Sequence, residues 1–249
     1  MATGAANAER IRVEQRAKTY VADAFWAGSG LSSGLKAEGT LATFTPIVVL
    51  REPDVWRERG IDNYDDARQI LTAYLGPTGG ILVNASLVRP EEYPKAYQDL
   101  LDPRWKGKMV MHDPTIAGSG SINFLHMRQV YGLEYWEKMN RQGITIIRDY
   151  AEAWRRVAIG EAPIGVSASP VHIMPALSAG APLKLIPPRE GSEATNHVIH
   201  LLKNAPHTNA AKVLLNYMLT KEGQELITPL NATLSVRKDV EFKAHPEVA

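Results

Sequence analysis

The chain contains no cysteine, which excludes disulfides, thiol catalysis and thiolate metal sites. It also lacks a surplus of either charge. Lys and Arg number 28 against 27 Asp and Glu, a formal net charge of +1, so no basic excess is available to condense on nucleic acid or an anionic membrane. No apolar run reaches the ~20 residues needed to span a bilayer. The opening Met1–Ala6 shows no basic n-region leading into an apolar h-region. A phosphate-cradling loop with lysine after its last glycine is missing, as is a three-glycine dinucleotide fingerprint. No nucleophile elbow is visible. The 7 histidines do not cluster: His197 and His200 fall in one strand-like run, where a spacing of three puts them on opposite faces. Neither a metal site nor a cofactor is indicated.

What is present is an ordinary globular composition, 45% hydrophobic and 22% charged. A helix is expected over Ala8–Ala17, then strands at Tyr20–Trp26 and Phe44–Leu50. Thr72–Leu75 leads through a turn at Gly76–Gly80 into a strand at Ile81–Val83. Prolines 90, 94 and 103 mark Arg89–Lys108 as a surface excursion. Lys108–His112 reads as a strand, followed by a helix running to Tyr131. Tyr150, Ala153, Trp154, Val157 and Ala158 recur at helical spacing, with Gly160 as the cap. Pro163–Ser167 is a strand, Val171–Ala179 a helix, Leu183–Ile186 a strand and Asn209–Leu219 an amphipathic helix, with Thr220 capping the next. Strands alternating with helices predict the α/β class with parallel sheets.

Three strand-to-helix junctions carry small polar residues. The strongest is Asp113–Ser121, where Ser119, Gly120 and Ser121 open a helix. Helix-start N–H groups lack intrahelical partners and carry partial positive charge, so this is either a capped helix or an anion site. Gly28-Ser29-Gly30 is a second such loop, whose alternative is a plain turn, and Ser167-Ala168-Ser169-Pro170-Val171-His172 is a third, whose alternative is again helix capping. In open α/β sheets ligands sit beyond the carboxyl ends of strands.

The run Leu100-Leu101-Asp102-Pro103-Arg104-Trp105-Lys106-Gly107-Lys108-Met109-Val110-Met111, with Asp113-Pro114 and Ala117-Gly118-Ser119-Gly120 after it, resembles the extracellular solute-binding proteins. More narrowly, it resembles the iron- and thiamine-type branch that serves ABC transporters. Val83–Val88, Ala205–Lys212 and Thr220–Gln224 extend the likeness in family order. The resemblance implies a two-lobed, periplasmic-binding-protein-like α/β fold with a ligand cleft between the lobes. The first lobe would comprise residues 1–84 and 192–249, and the second 85–191. It implies a binding protein rather than an enzyme, located in the periplasm, with a small anionic or polar solute as ligand and a transporter permease as partner. Trp26, Ser29, Asn84, Ser119, Gly120, Ser121, Ser167, Ser169 and His172 are the expected ligand contacts. Ferric-binding members place adjacent tyrosines after the strand corresponding to Ile164–Val166; here Ser167–His172 contains none, which argues against direct iron ligation. Family members also begin with a strand, a helix and a second strand ahead of the Ala8 helix. The first lobe is therefore expected to be incomplete and open to self-association through its sheet. Two other readings use the same architecture. An enzyme on a related scaffold would need a convergent acid–base pair, and an effector-sensing domain of a regulator would need a preceding DNA-binding segment.

Overall fold

A computed structural model of the chain describes residues 4–52, 54–56 and 64–241. The first elements are α1 (Gly4–Ala17), β1 (Ala24–Gly28), α2 (Ser29–Ala37), β2 (Leu41–Ala42), β3 (Leu71–Thr78) and β4 (Gly80–Asn84). There follow β5 (Met109–His112), α3 (Ser119–Tyr131), α4 (Leu133–Arg141), β6 (Thr145–Ile147), α5 (Tyr150–Ala158), β7 (Ile164–Ala168) and α6 (Pro170–Ser178). The chain continues through β8 (Leu183–Ile186), β9 (Glu193–Leu202), α7 (Thr208–Leu219), α8 (Lys221–Leu230) and β10 (Leu234–Ser235). The residues group into two compact units. The first lies within Met1–Leu75, Thr195–Pro229 and Leu234–Lys243, the second within Gly76–Ala194 and Leu230–Thr233.

In the first unit the sheet order is β1-β9-β3-β10, with β2 also on β9. β1 and β2 run antiparallel to β9, and β10 antiparallel to β3. One core gathers Ile199 and Leu201 of β9 with Ala211, Leu215, Met218 and Leu219 of α7. Their i, i+4, i+7, i+8 spacing makes one helix face. Another packs Ala8 and Ile11 of α1 on Phe25, Ala27 and Leu202. Gln224 of α8 is fully buried and uses all its hydrogen-bonding capacity. Its Nε2 donates to the Ala73 and Met218 carbonyls, and its Oε1 accepts from Ser235 Oγ and Val236 N.

The second unit has the sheet order β6-β5-β7-β4-β8. Alternation along its strands feeds two cores. Ile81, Val83, Met109 and Met111 pack with Met127 of α3 and Met139 of α4, whereas Leu82 and Val110 pack with Trp154 of α5 and Ile173 of α6. In this sheet β5 runs parallel to β6 and β7, whereas β4 is antiparallel to both β7 and β8. The expectation of parallel sheets is corrected accordingly. Because β4 pairs with β7 and β8, Gly76–Asn84 belongs to this unit, not to the first lobe where the sequence reading had it.

Other expectations shift for local reasons. Phe44–Leu50 is not a strand: Pro46 removes a ladder donor, and Val48–Arg51 forms a 3₁₀ turn while Phe44, Ile47 and Val49 are still buried. β3 runs on through Gly76 and Pro77, and the turn is confined to Gly79 at φ +83°. The Arg89–Lys108 segment is not merely surface. Its 3₁₀ turns at Tyr97–Leu101 and Pro103–Trp105 bury Tyr97, Leu100 and Trp105.

Candidate functional site

A candidate site with unassigned hydrogen-bonding capacity lies in the second unit, where β5 hands over to α3. Asp113 turns the chain by accepting from Thr115 N and Oγ1 at 2.8 and 2.6 Å. The chain then folds back so that α3 starts directly over His112. Gly118 sits at φ +153°, ψ −165°, a region essentially reserved for glycine; a Cβ there would lie 2.5 Å from His112 Cε1. A Cβ on Gly120 would lie 2.1 Å from the His112 carbonyl oxygen. Both glycines are therefore needed for the close passage.

The first turn of α3 divides its polar groups between internal bonds and none. Ser121 Oγ accepts from Gly118 N at 3.2 Å and donates to Gly118 O at 3.0 Å, capping its own helix. Gly120 N donates to His112 Nδ1 at 3.4 Å, so its amide is also engaged. Ser119 differs. Its carbonyl accepts from Ser167 Oγ at 2.7 Å, yet its own hydroxyl is buried and has no partner. The amides of Ser119 and Ser121 have no intrahelical acceptor. One buried hydroxyl and two helix-start N–H groups are the groups left for a ligand.

The remaining candidates of this unit are mostly structural. Ser167, buried at φ +69°, holds α3 through the bond just described. Ser169 precedes α6 without capping it and donates instead to Pro77 O at 2.9 Å. Asn84 is buried, donating to Val157 O at 2.7 Å and accepting from Ser86 N at 2.9 Å. That pins the end of β4. His172, in the first turn of α6, stacks on Tyr150, the first residue of α5, at 4.0 Å. Tyr150 in turn meets His112 edge-on at 6.0 Å. The starts of α3, α5 and α6 thus gather around one column of rings, and each contributes the positive end of a helix dipole. Burial pushes the His112 imidazole below its ordinary range, opposed by Asp113, the Arg148 carbonyl and Asp149. The neutral ring with Nδ1 as acceptor is the form that matches the Gly120 bond.

Trp26 and Ser29 belong to the first unit. Trp26 is 39% exposed on β1 and meets Tyr74 edge-on at 5.3 Å, while Tyr74 stacks on His197 at 4.7 Å. Burial raises the Tyr74 phenol and lowers His197 to about 4. Ser29 opens α2, where Gly28 provides no side-chain cap. His200 Nε2 lies 2.5 Å from Ser32 Oγ, a pairing that could activate a nucleophile, but both residues are fully buried.

Reading by residue type singled out Ser119 as a candidate and did not single out His112, Tyr150, Tyr74 or His197. The available signal was a histidine ending a strand, followed six and eight residues later by glycines.

Residues 29–248 match the family described as bacterial extracellular solute-binding protein, and the chain belongs to that family. A protein of Haemophilus influenzae without assigned function is 29% identical over 160 residues, 63% of this chain and 46% of that protein. The thiamine-binding periplasmic protein of Brucella abortus is 33% identical over 86 residues, 32% of this chain and 26% of that one. The chain thus spans less than half the length of these curated relatives. The structure of the periplasmic binding protein AfuA from Actinobacillus pleuropneumoniae, with fructose-6-phosphate bound, superposes at a TM-score of 0.74. That alignment has 20% identity and covers 98% of this chain and 76% of AfuA.

Proposed function

We propose that the protein captures a small solute for an ABC uptake transporter, outside the cytoplasmic membrane, and delivers it to the transporter's permease. The solute's anionic group is held at the start of α3. Family membership over residues 29–248 supports the capture role. The observation that carries the anionic class is the buried, unpartnered hydroxyl of Ser119 beside helix-start amides. A buried polar group is normally satisfied, and a carboxylate or phosphate oxygen would accept from all three donors. Fructose-6-phosphate, the ligand in the AfuA structure, carries such a group. Chemistry on the solute is not part of this reading.

The test pairs mass spectrometry of small molecules released from the purified protein with calorimetric titration of sulfate into the protein and its Ser119→Ala variant. An acidic compound should be released, and the variant should stay folded while binding sulfate about tenfold more weakly, one charge-assisted hydrogen bond being lost. Equal sulfate affinity in the two proteins would place the anion site elsewhere.

A further inference from the structure

The ring beneath the helix start carries a consequence of its own. Three features hold His112 in one orientation. Gly118 passes so close that even a methyl group would meet Cε1, Tyr150 packs edge-on against the ring, and the next residue, Asp113, is tied into the turn by Thr115. Residue 112 is 2% exposed, so the ring cannot swing out to water without opening the turn. In this orientation Nδ1 faces the Gly120 amide.

We propose that His112 is the positioning residue of the α3 anion site: unprotonated, it withholds the Gly120 amide from the ligand, and anion capture is coupled to its protonation. This rests on the anionic reading of the site given above. The amide has one hydrogen to give. While Nδ1 accepts it, an anion is met by Ser119 and Ser121 only. A proton on Nδ1 ends that bond, leaves the Gly120 N–H free as a further donor and puts a positive charge beneath the first turn. Each change favours an anion, so binding must by linkage raise the affinity of His112 for its proton.

The other charged and titratable groups around the ring work in known directions. Asp113 and Asp149 favour the imidazolium, as does the Arg148 carbonyl, while burial disfavours it. The Arg148 side chain reaches toward Asp113, at 4.0 Å, which tempers that carboxylate. On the far side of Tyr150 stands His172, separated from His112 by the phenol ring. The balance lies with the neutral ring in the free protein, and an anion at α3 is what can tip it.

Sulfate is the appropriate probe because it does not itself titrate in this range. Calorimetry in buffers of differing ionisation enthalpy should show net proton uptake on sulfate binding. Affinity should rise about tenfold between about pH 7.5 and about pH 5, the worth of one added charge-assisted hydrogen bond. In His112→Asn, whose amide oxygen can accept from Gly120 N but does not titrate, the uptake and the pH dependence should vanish. Sulfate binding with no proton uptake, or an unchanged pH dependence in His112→Asn, would overturn the proposal while leaving the anion site standing. Absence of sulfate binding at both pH values would instead count against the anion site. The positioning claim is then read without ligand, by nitrogen-15 NMR of the full chain. His112 should carry its proton on Nε2 at neutral pH, and the Gly120 amide resonance should move as His112 titrates. A proton on Nδ1 at neutral pH, or a Gly120 amide indifferent to that titration, would overturn it.

Discussion

Adding one methyl group at Gly120 should do more damage than its size suggests. An ideal Cβ at this position lies 2.1 Å from the His112 carbonyl oxygen, 2.8 Å from its carbon and 3.1 Å from the Asp113 carbonyl oxygen. All three neighbours are backbone atoms, so no side chain can rotate away. A tolerable carbon–oxygen contact is about 3.3 Å, so the helix start must retreat from β5 by roughly 1 Å. Overpacking of this kind costs about 1–3 kcal/mol. The retreat also breaks the 3.4 Å bond from Gly120 to His112 and pulls the Ser119 carbonyl off Ser167 Oγ, now at 2.7 Å. Gly120→Ala should therefore lower unfolding stability by about 2–4 kcal/mol and weaken sulfate binding together with it. Gly30→Ala makes the same chemical change inside α2, where nothing lies within 4 Å of the new Cβ. It should stabilise by up to about 1 kcal/mol through helix propensity alone. Urea unfolding of both variants beside the parent gives the comparison. If Gly120→Ala proves as stable as Gly30→Ala, the close passage of α3 over His112 is wrong, and the account of the site falls with it.

Two further outcomes follow from the first unit. Gln224→Met should destabilise it by about 3–5 kcal/mol in a urea melt, because four buried groups lose their partner at once and such losses are not additive; a loss below 1 kcal/mol would refute the network. His197 and His200 are both held near 4 by burial, against about 6.5 in an unfolded chain. Above about pH 6.5 both states carry neutral rings and nothing is lost. As pH falls from about 6.5 to about 4 the unfolded chain binds protons that the folded chain refuses, so stability drops, by about 2–3 kcal/mol for His200. Replacing His200 with Gln should flatten that part of the stability–pH curve, and an undiminished slope would show that other groups control it.

Much of the fold could be read from residue patterns because those patterns are local. α7 announces itself by Ala211, Leu215, Met218 and Leu219 on one face, and α5 by Ala153, Trp154 and Val157 with Gly160 at φ +83° just beyond. Thr220 does cap α8, accepting from Gly223 N at 3.1 Å. What misled was apolar character without a period. Phe44, Ile47 and Val49 are core residues of the first unit, but burial alone does not make a strand, and Pro46 interrupts the run. Sheet direction was illegible for a different reason. The alternation of strands and helices says that crossovers exist; it does not say that β4 enters its sheet against β7 and β8.

The candidate site shows a sharper limit. Serine at a strand-to-helix junction is equally suited to capping its own helix, bracing a neighbour or meeting a ligand, because one hydroxyl can donate and accept in any of these settings. Ser121, Ser167 and Ser169 each found a carbonyl in the protein. The serine that did not, Ser119, differs from them in nothing the sequence displays. Its hydroxyl is unassigned because the residues around it are already committed: Ser167 to the Ser119 carbonyl, His112 to Gly120, Ser121 to Gly118. The site is defined by what the surrounding bonds leave over. That remainder depends on a carbonyl at residue 119 meeting a side chain 48 positions away, a coincidence that only the folded chain contains.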